Sequence, residues 1–165
     1  MFPQDATWLY ELFSEDPEAY RWRFREAQPG FDEVVGRDRN TFCEYLITNV
    51  SNGEPIGYTA ALNADERAGH TTICGILHPS LRSDFRAAEG FALLLDDLFM
   101  RLGFRKVYAE VFSFNHSVVR ALLLVGFCEE ALLKEHCFAA GQLWDLHVLS
   151  LGRSDWLEHS RRLGI

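Results

Sequence analysis

Four side chains are candidates for accepting or donating a proton in a reaction: Glu110, His136, His70 and Asp145. Glu110 alternates with Ala109 and Val111 in a strand-like run, so it points away from their face and is either a base or a solvated side chain. The ordinary pKa of histidine suits proton transfer, although a lone histidine on a strand is more often structural. Asp145 is either a base or a side chain that only orients the nearby backbone.

A second stretch, residues 82–87, has the character of an anion-binding turn that opens a helix; it reads Arg82-Ser83-Asp84-Phe85-Arg86-Ala87. Backbone N–H groups at a helix N-terminus, aided by the helix dipole, face a phosphate well. The two arginines add positive charge, whereas Asp84 adds negative charge and Phe85 stands where a glycine would allow close approach. The alternative is an ordinary helix start, with Ser83 or Asp84 as cap and Phe85 as core.

Composition narrows the class of protein. The chain has 165 residues, 48% of them hydrophobic, and a net charge of −8, which is ordinary for a globular domain and disfavours nucleic-acid binding. No apolar run approaches the roughly 20 residues of a membrane span, and the N-terminus does not resemble a signal peptide. The four cysteines show no metal-ligand spacing. These features predict a cytoplasmic protein of one domain, 1–165, without a metal.

The first part of the chain is predicted to form two helices and three strands. Asp5 is expected to cap the first helix, and Asp16-Pro17-Glu18 is expected to start a second that ends near residue 28. Strands are predicted at 41–50 and 54–63 around the turn Ser51-Asn52-Gly53, and at 70–79.

The second part alternates between the two types of element. Apolar residues recur with helical spacing over 85–102, and helices are also predicted at 115–126 and 153–162. Strands are predicted at 105–114, 127–138 and 142–151. The resulting order, α-α-β-β-β-α-β-α-β-β-α, predicts an α+β domain.

From about residue 42 to 156 the chain resembles the GNAT acyltransferase superfamily, within it the branch related to ribosomal-protein N-terminal acetyltransferases. The order and spacing of several short motifs carry the resemblance: His78-Pro79, Arg82, Glu89, residues 102–111, Asn115, Gly126-Phe127, Glu130 and residues 141–156. The resemblance implies a mixed, mostly antiparallel sheet. Its two central strands, expected at 70–78 and 105–113, splay apart and hold an acyl thioester.

The resemblance also implies which residues contact the thioester. The family's phosphate loop maps onto residues 82–87, with Phe85 at a glycine position, so the loop is degenerate. Ile76, Leu77 and His78 end the first splayed strand, and a backbone N–H of residues 73–78 is expected to stabilise the oxyanion. Asn115 matches a residue that lies near the pantetheine arm. The family's acid, a serine, falls on Val118, next to Ser117, and a base known in one branch falls on Cys137.

The function implied by the resemblance is acyl transfer from a pantetheine thioester, acyl-CoA by default, to the amine of a small molecule or peptide. The candidate pocket residues for the amine are Trp22, Phe24, Phe31 and Tyr45. A homodimer is compatible with the fold. An acyl carrier protein is an alternative donor, because its arm lacks the pyrophosphate that the loop glycine serves. Four arginines would then meet the acidic carrier: Arg82, Arg86, Arg101 and Arg105. A second alternative is a non-catalytic binding module.

Overall fold

The computed structural model describes residues 3–15, 30–35, 40–81 and 85–163. The helices found there are α1 Pro3–Glu15, α2 Phe31–Val35, α3 Phe85–Asp96, α4 His116–Val125 and α5 Arg153–Leu163. The strands are β1 Thr41–Thr48, β2 Pro55–Asp65, β3 His70–Leu77, β4 Lys106–Phe112, β5 Cys128–Ala139 and β6 Gln142–Gly152.

The six strands form one mixed sheet in the order β1-β2-β3-β4-β6-β5. All neighbouring strands run antiparallel except β3 and β4, which run parallel and are joined by the α3 crossover. This architecture confirms the prediction of an α+β fold with a mixed, mostly antiparallel sheet.

Each face of the sheet is covered by different helices. On one face, Val107, Ala109 and Val111 of β4 pack in a core with residues of α3, α4 and α5; we call this the α3 face. On the other face, Tyr58 and Ile76 pack against α1 and α2; we call this the α1 face. Because side chains alternate along a strand, even-numbered residues of β3 and β4 lie on the α1 face.

The end of α3 departs from a simple helix. The apolar pattern over 85–102 is realised as an α-helix to Asp96 and a π-helical turn over Asp97–Arg101. The indole N–H of Trp156 in α5 donates to Asp96 at 2.7 Å, and Trp156 is 1% exposed. Helix α5 is therefore polar on its exposed side and contributes the buried Trp156 side chain to the core.

Two predictions near the N-terminus need correction. Helix α1 begins at Pro3, so Asp5 lies within its first turn instead of capping it. Residues 31–35 form α2, although the sequence analysis assigned no element to them. The helix predicted to start at Asp16 lies outside the described residues. None of the helices in the part of the chain that the structure describes is long and apolar enough to cross a membrane.

Candidate active site

The centre of the sheet opens between the two parallel strands. β3 and β4 pair over only four positions, the last being Ile73 with Ala109. Beyond that pair, β3 stays paired with β2 as far as Leu77, and β4 stays paired with β6 as far as Phe112. The two strands therefore follow different partners and diverge; we call the gap between them the wedge.

Backbone groups of β3 that point into the wedge can be identified from one hydrogen bond. The N–H of His78 donates to the carbonyl of Ile56 in β2 at 3.0 Å. Because backbone direction alternates along a strand, Cys74 and Ile76 also face β2, whereas the N–H groups of Gly75 and Leu77 face the wedge. Within the described residues no strand pairs with these two N–H groups.

The β4 side of the wedge follows from a matching bond. Arg153 N–H donates to the carbonyl of Arg105 at 3.0 Å, so odd-numbered residues of β4 face β6. The carbonyl of Glu110 and the N–H of Phe112 therefore face the wedge, opposite Gly75 and Leu77. The two open strand edges present hydrogen-bond donors and acceptors with which an extended chain of amide groups can pair. One of the N–H groups can also stabilise an oxyanion that develops in the wedge.

The α3 face of the wedge is closed by an aromatic ring. A Cβ added to Gly75 would lie 2.7 Å from Cε1 of Phe91 and 2.9 Å from the carbonyl oxygen of Tyr58. Only glycine fits this close approach. Gly75 was not among the residues predicted from the sequence, although an isolated glycine inside a strand indicates such an approach.

Glu110 lies on the open side of the wedge. It follows Ala109, the last residue of β4 paired with β3, and its side chain is exposed on the α1 face. No other described residue forms a hydrogen bond or ion pair with its carboxylate. A carboxylate that has no described partner and lies beside unpaired backbone N–H groups can accept a proton from a nucleophile that attacks in the wedge.

Asp145 has a different role in this structure, because both of its carboxylate oxygens are occupied. One oxygen accepts from Lys134 Nζ at 2.9 Å and the other from the backbone N–H of Glu135 at 2.9 Å. The hydrogen bond with Lys134 is the main reason that the pKa of Asp145 lies below its usual value. The carboxylate thus secures an irregular segment of β5 where Glu135 has a φ of 51°.

His136 belongs to that irregular segment and is exposed. Strand β6 lies between β5 and β4, so His136 is two strand spacings, about 10 Å, from the backbone of β4. The structure therefore brings Glu110 to the wedge. Asp145 lies on β6 with its carboxylate bound to β5, and His136 lies on β5.

The turn between β4 and α4 connects Asp145 to the wedge. The backbone N–H of Asp145 donates to Ser113 Oγ at 3.1 Å, and Ser113 begins the 3-10 turn that ends at Asn115. Asn115 occupies the N-cap position of α4, but its side chain makes no capping hydrogen bond. The side-chain Oδ1 of Asn115 instead accepts from Ser117 Oγ at 3.5 Å.

The predicted phosphate turn is described only in part. Arg82, Ser83 and Asp84 lie outside the described residues, and Phe85, Arg86 and Ala87 are described as the backbone of the first turn of α3. The 3-10 turn Pro79–Leu81 connects this region to the end of β3. Helix α3 is 12 residues long and packs on β3 through Phe91 at Gly75, and the first backbone N–H groups of a helix point away from its body.

Several residues predicted to bind ligands lie elsewhere. Tyr45 is on the edge strand β1, where its hydroxyl donates to Asp97 Oδ2 at 2.8 Å; burial and this bond raise the pKa of Tyr45 to about 12. Arg101 is paired with the same Asp97 carboxylate. Phe31 packs edge-on against Tyr10 of α1. Trp22 and Phe24 lie outside the described residues.

Comparisons with known proteins agree on the architecture. No family model matches the chain, and no curated protein matches it either. Among solved structures, the spermidine N-acetyltransferase from Vibrio cholerae in complex with CoA and spermine has a TM-score of 0.82 and 20% identity, over 95% of each chain. A chimera of that Vibrio cholerae protein, SpeG, with hSSAT has a TM-score of 0.80 and 21% identity, also over 95% of each chain.

This is the GNAT fold. The GNAT fold predicted from the sequence is confirmed, with splayed strands at 70–77 and 106–112 where 70–78 and 105–113 were expected. The GNAT neighbours are spermidine N-acetyltransferases, so the resemblance to the ribosomal-protein branch and the degenerate phosphate loop stay predictions.

Proposed function

We propose that this chain is an N-acyltransferase that moves an acyl group from acyl-CoA to the amine of a small molecule. The observation that carries the proposal is the end of β3–β4 pairing at Ile73 and Ala109, which leaves the N–H groups of Gly75 and Leu77 open in the wedge. The GNAT fold supports it, as does a neighbour solved in complex with CoA and spermine.

The thioester donor is assigned to the wedge because its amide-rich arm can pair with the open strand edges. Gly75 and Leu77 supply N–H donors from β3, and Phe112 supplies one from β4. One of the β3 donors stabilises the negative charge that develops on the carbonyl oxygen. The start of α3 lies at the same end of the sheet, where its N–H groups and dipole favour the phosphates.

The acceptor enters from the α1 face, because Phe91 closes the α3 face at Gly75. Glu110 is exposed on the α1 face at this point and takes a proton from the substrate ammonium. The net charge of −8 also favours approach of a cation.

The reaction is a direct attack without a covalent enzyme intermediate. The amine nitrogen forms a bond to the acyl carbon, the C–S bond breaks, and the electron pair leaves on the sulfur. Glu110 has taken one proton from the ammonium before the attack, and the second proton, which the nitrogen loses after the attack, goes to solvent. With a thiol pKa near 8.5, a thiolate is a tolerable leaving group and can take its proton from solvent.

A carrier-protein donor has less support. Of the four arginines expected to meet an acidic carrier, Arg101 is paired with Asp97, and Arg105 Nε donates to the carbonyl of Ala68 at 2.7 Å. The other two have no described side chain. Acyl-CoA therefore remains the donor in this proposal, and a non-catalytic role is an outcome of its test.

The test is acetyl-CoA consumption with four amines: ethylamine, 2-phenylethylamine, spermidine and a short peptide with a free α-amine. Loss of thioester absorbance reports turnover, and mass spectrometry identifies the acetylated amine. We expect amine-dependent thioester loss with stoichiometric acetylated product. A folded protein that consumes no acetyl-CoA with any of these amines would contradict the proposal and favour the non-catalytic role.

A further inference from the structure

Three half-buried aromatic side chains form a row at the end of β4. The rings of Phe112 and Phe114 stack with centroids 5.6 Å apart and an interplanar angle of 21°. Trp144 of β6 meets Phe114 edge-on, with centroids 5.4 Å apart. The indole N–H of Trp144 donates to the carbonyl of Ala139 at 3.0 Å, so the orientation of this ring is fixed. We call these three residues the aromatic row.

The aromatic row adjoins Glu110 on the same face. Phe112 is two residues after Glu110, so both side chains lie on the α1 face. Phe112 pairs with Leu146 across the β4–β6 ladder, and Trp144 is two residues from Leu146, which places it on that face as well. A ligand whose nitrogen lies at Glu110 therefore extends toward the rings when it points to the end of β4.

Three other carboxylates described on β5 and β6 already have hydrogen-bond or ion-pair partners. Glu130 accepts from Ser150 Oγ at 2.6 Å and is paired with Lys106. Glu129 contacts His147 Nδ1 at 2.8 Å, and Asp145 is paired with Lys134. Glu110 is the carboxylate of β4, it has no partner among the described residues, and the surface beside it is aromatic. Glu135 is also exposed, but it lies on β5, on the far side of β6.

We propose that the acceptor is a primary monoamine with a flat apolar or aromatic body, held with its nitrogen at Glu110 and its body against the aromatic row. This inference rests on the proposed acyl transfer for its site and adds the substrate class. Ring-on-ring contact and burial of apolar surface stabilise such a ligand. A polyamine would place a second ammonium against the rings of the aromatic row, where it gains no apolar contact.

The experiment is calorimetric titration of the CoA-saturated protein with 2-phenylethylamine, ethylamine and spermidine. The first two differ only by the phenyl ring, so their comparison isolates its contribution. We expect 2-phenylethylamine to bind at least about tenfold more tightly than each of the others. Phe114→Leu should remove most of this preference. Phe138→Leu is the matched control, because Phe138 is 64% exposed on β5 and lies outside the aromatic row.

The three amines are compared on the parent protein, so the inference is tested even if Phe114→Leu does not fold. Spermidine or ethylamine binding as tightly as 2-phenylethylamine would overturn it, as would a folded Phe114→Leu protein with an unchanged preference. If 2-phenylethylamine is preferred but no amine is acetylated, the acyl transfer fails and the aromatic site stands. If spermidine is acetylated and preferred, the transfer stands and the aromatic site fails.

Discussion

Ile73 of β3 and Ala109 of β4 form the last cross-strand pair at the centre of the sheet, and both side chains are buried on the α3 face. Because both side chains are buried in the core, this pair is held in place and the strands diverge directly beyond it. The next residue toward the end of β4 is Glu110, and two residues beyond Ile73 is Gly75. The proposed proton acceptor and the proposed oxyanion donor therefore lie on the two strands that border the wedge.

Replacing Glu110 by glutamine should lower kcat/KM about 10²- to 10⁴-fold at neutral pH, because the amine loses its proton acceptor. The loss should shrink at alkaline pH, where a larger fraction of an amine with a pKa near 10.4 is already neutral. The melting temperature should not change, since Glu110 is exposed. Glu135→Gln, at an exposed carboxylate on β5, is the matched control. Equal rates for Glu110→Gln and the control would remove Glu110 from the mechanism.

Asp145→Asn should reduce stability in a pH-dependent way. The bond from Lys134 holds the pKa of Asp145 below its ordinary value in the folded chain. A lowered folded pKa stabilises the protein above the unfolded pKa, and this stabilisation is lost as pH falls through the folded pKa. At neutral pH the parent should melt at a higher temperature than the variant. This difference should disappear as the pH falls below about 4.

Asparagine keeps an oxygen that can accept from the N–H of Glu135, so this variant isolates the charge. Glu135→Gln again serves as control, because it removes one exposed negative charge without touching Asp145 Oδ1. A melting-temperature difference that stays constant from neutral pH to pH 3 would show that the Lys134 pairing contributes nothing to stability.

Asn115→Ala should slow turnover while leaving the melting temperature unchanged. A capping side chain contributes about 1 kcal/mol, but Asn115 makes no capping bond in this structure. Its amide is therefore available to a ligand beside the wedge. Ser117→Ala is the comparison, and it should cost less than about tenfold in rate, or 1.4 kcal/mol. Parallel kinetic and thermal measurements separate the two roles; a lower melting temperature with unchanged kinetics would assign Asn115 to helix stability alone.

Gly75→Ala should destabilise the fold by about 1–3 kcal/mol, the usual cost of overpacking. The new methyl group would meet the ring of Phe91 and, at 2.9 Å, the carbonyl oxygen of Tyr58. Phe91→Leu combined with Gly75→Ala should recover part of the loss, because only the ring can move aside. Urea unfolding of the two single variants and the double variant measures the recovery. Additive effects would show that the two residues do not share this contact.

The sequence predicted the fold well because its signals were local. The helical spacing of apolar residues over 85–102 and the Asn52-Gly53 turn identified elements that the structure contains. The divergence of β3 from β4 was expected only through family resemblance. Strand pairing depends on contacts distant in the chain, and no local pattern marks Ile73 and Ala109 as the last pair.

Candidate site residues were harder to assign for the same reason. Glu110, His136 and Asp145 have similar chemistry in the sequence, but the strand order separates them. Glu110 flanks the wedge on β4, whereas Asp145 lies on β6 and His136 on β5. The aromatic row was missed because Phe112, Phe114 and Trp144 come together only when β4 and β6 pair. Gly75 carried a readable signal, an isolated glycine within a strand.

The most direct test of the wedge is an NMR titration of ¹⁵N-labelled protein with a non-reactive thioether analogue of acetyl-CoA. We expect large amide shifts and slower hydrogen exchange at Gly75, Leu77 and Phe112, whose N–H groups face the wedge. Cys74 and Ile76 face β2 and should retain their exchange rates. Binding that leaves the first three amides unchanged, or perturbs only the β1–β2 edge, would contradict the assignment of the wedge as the thioester site.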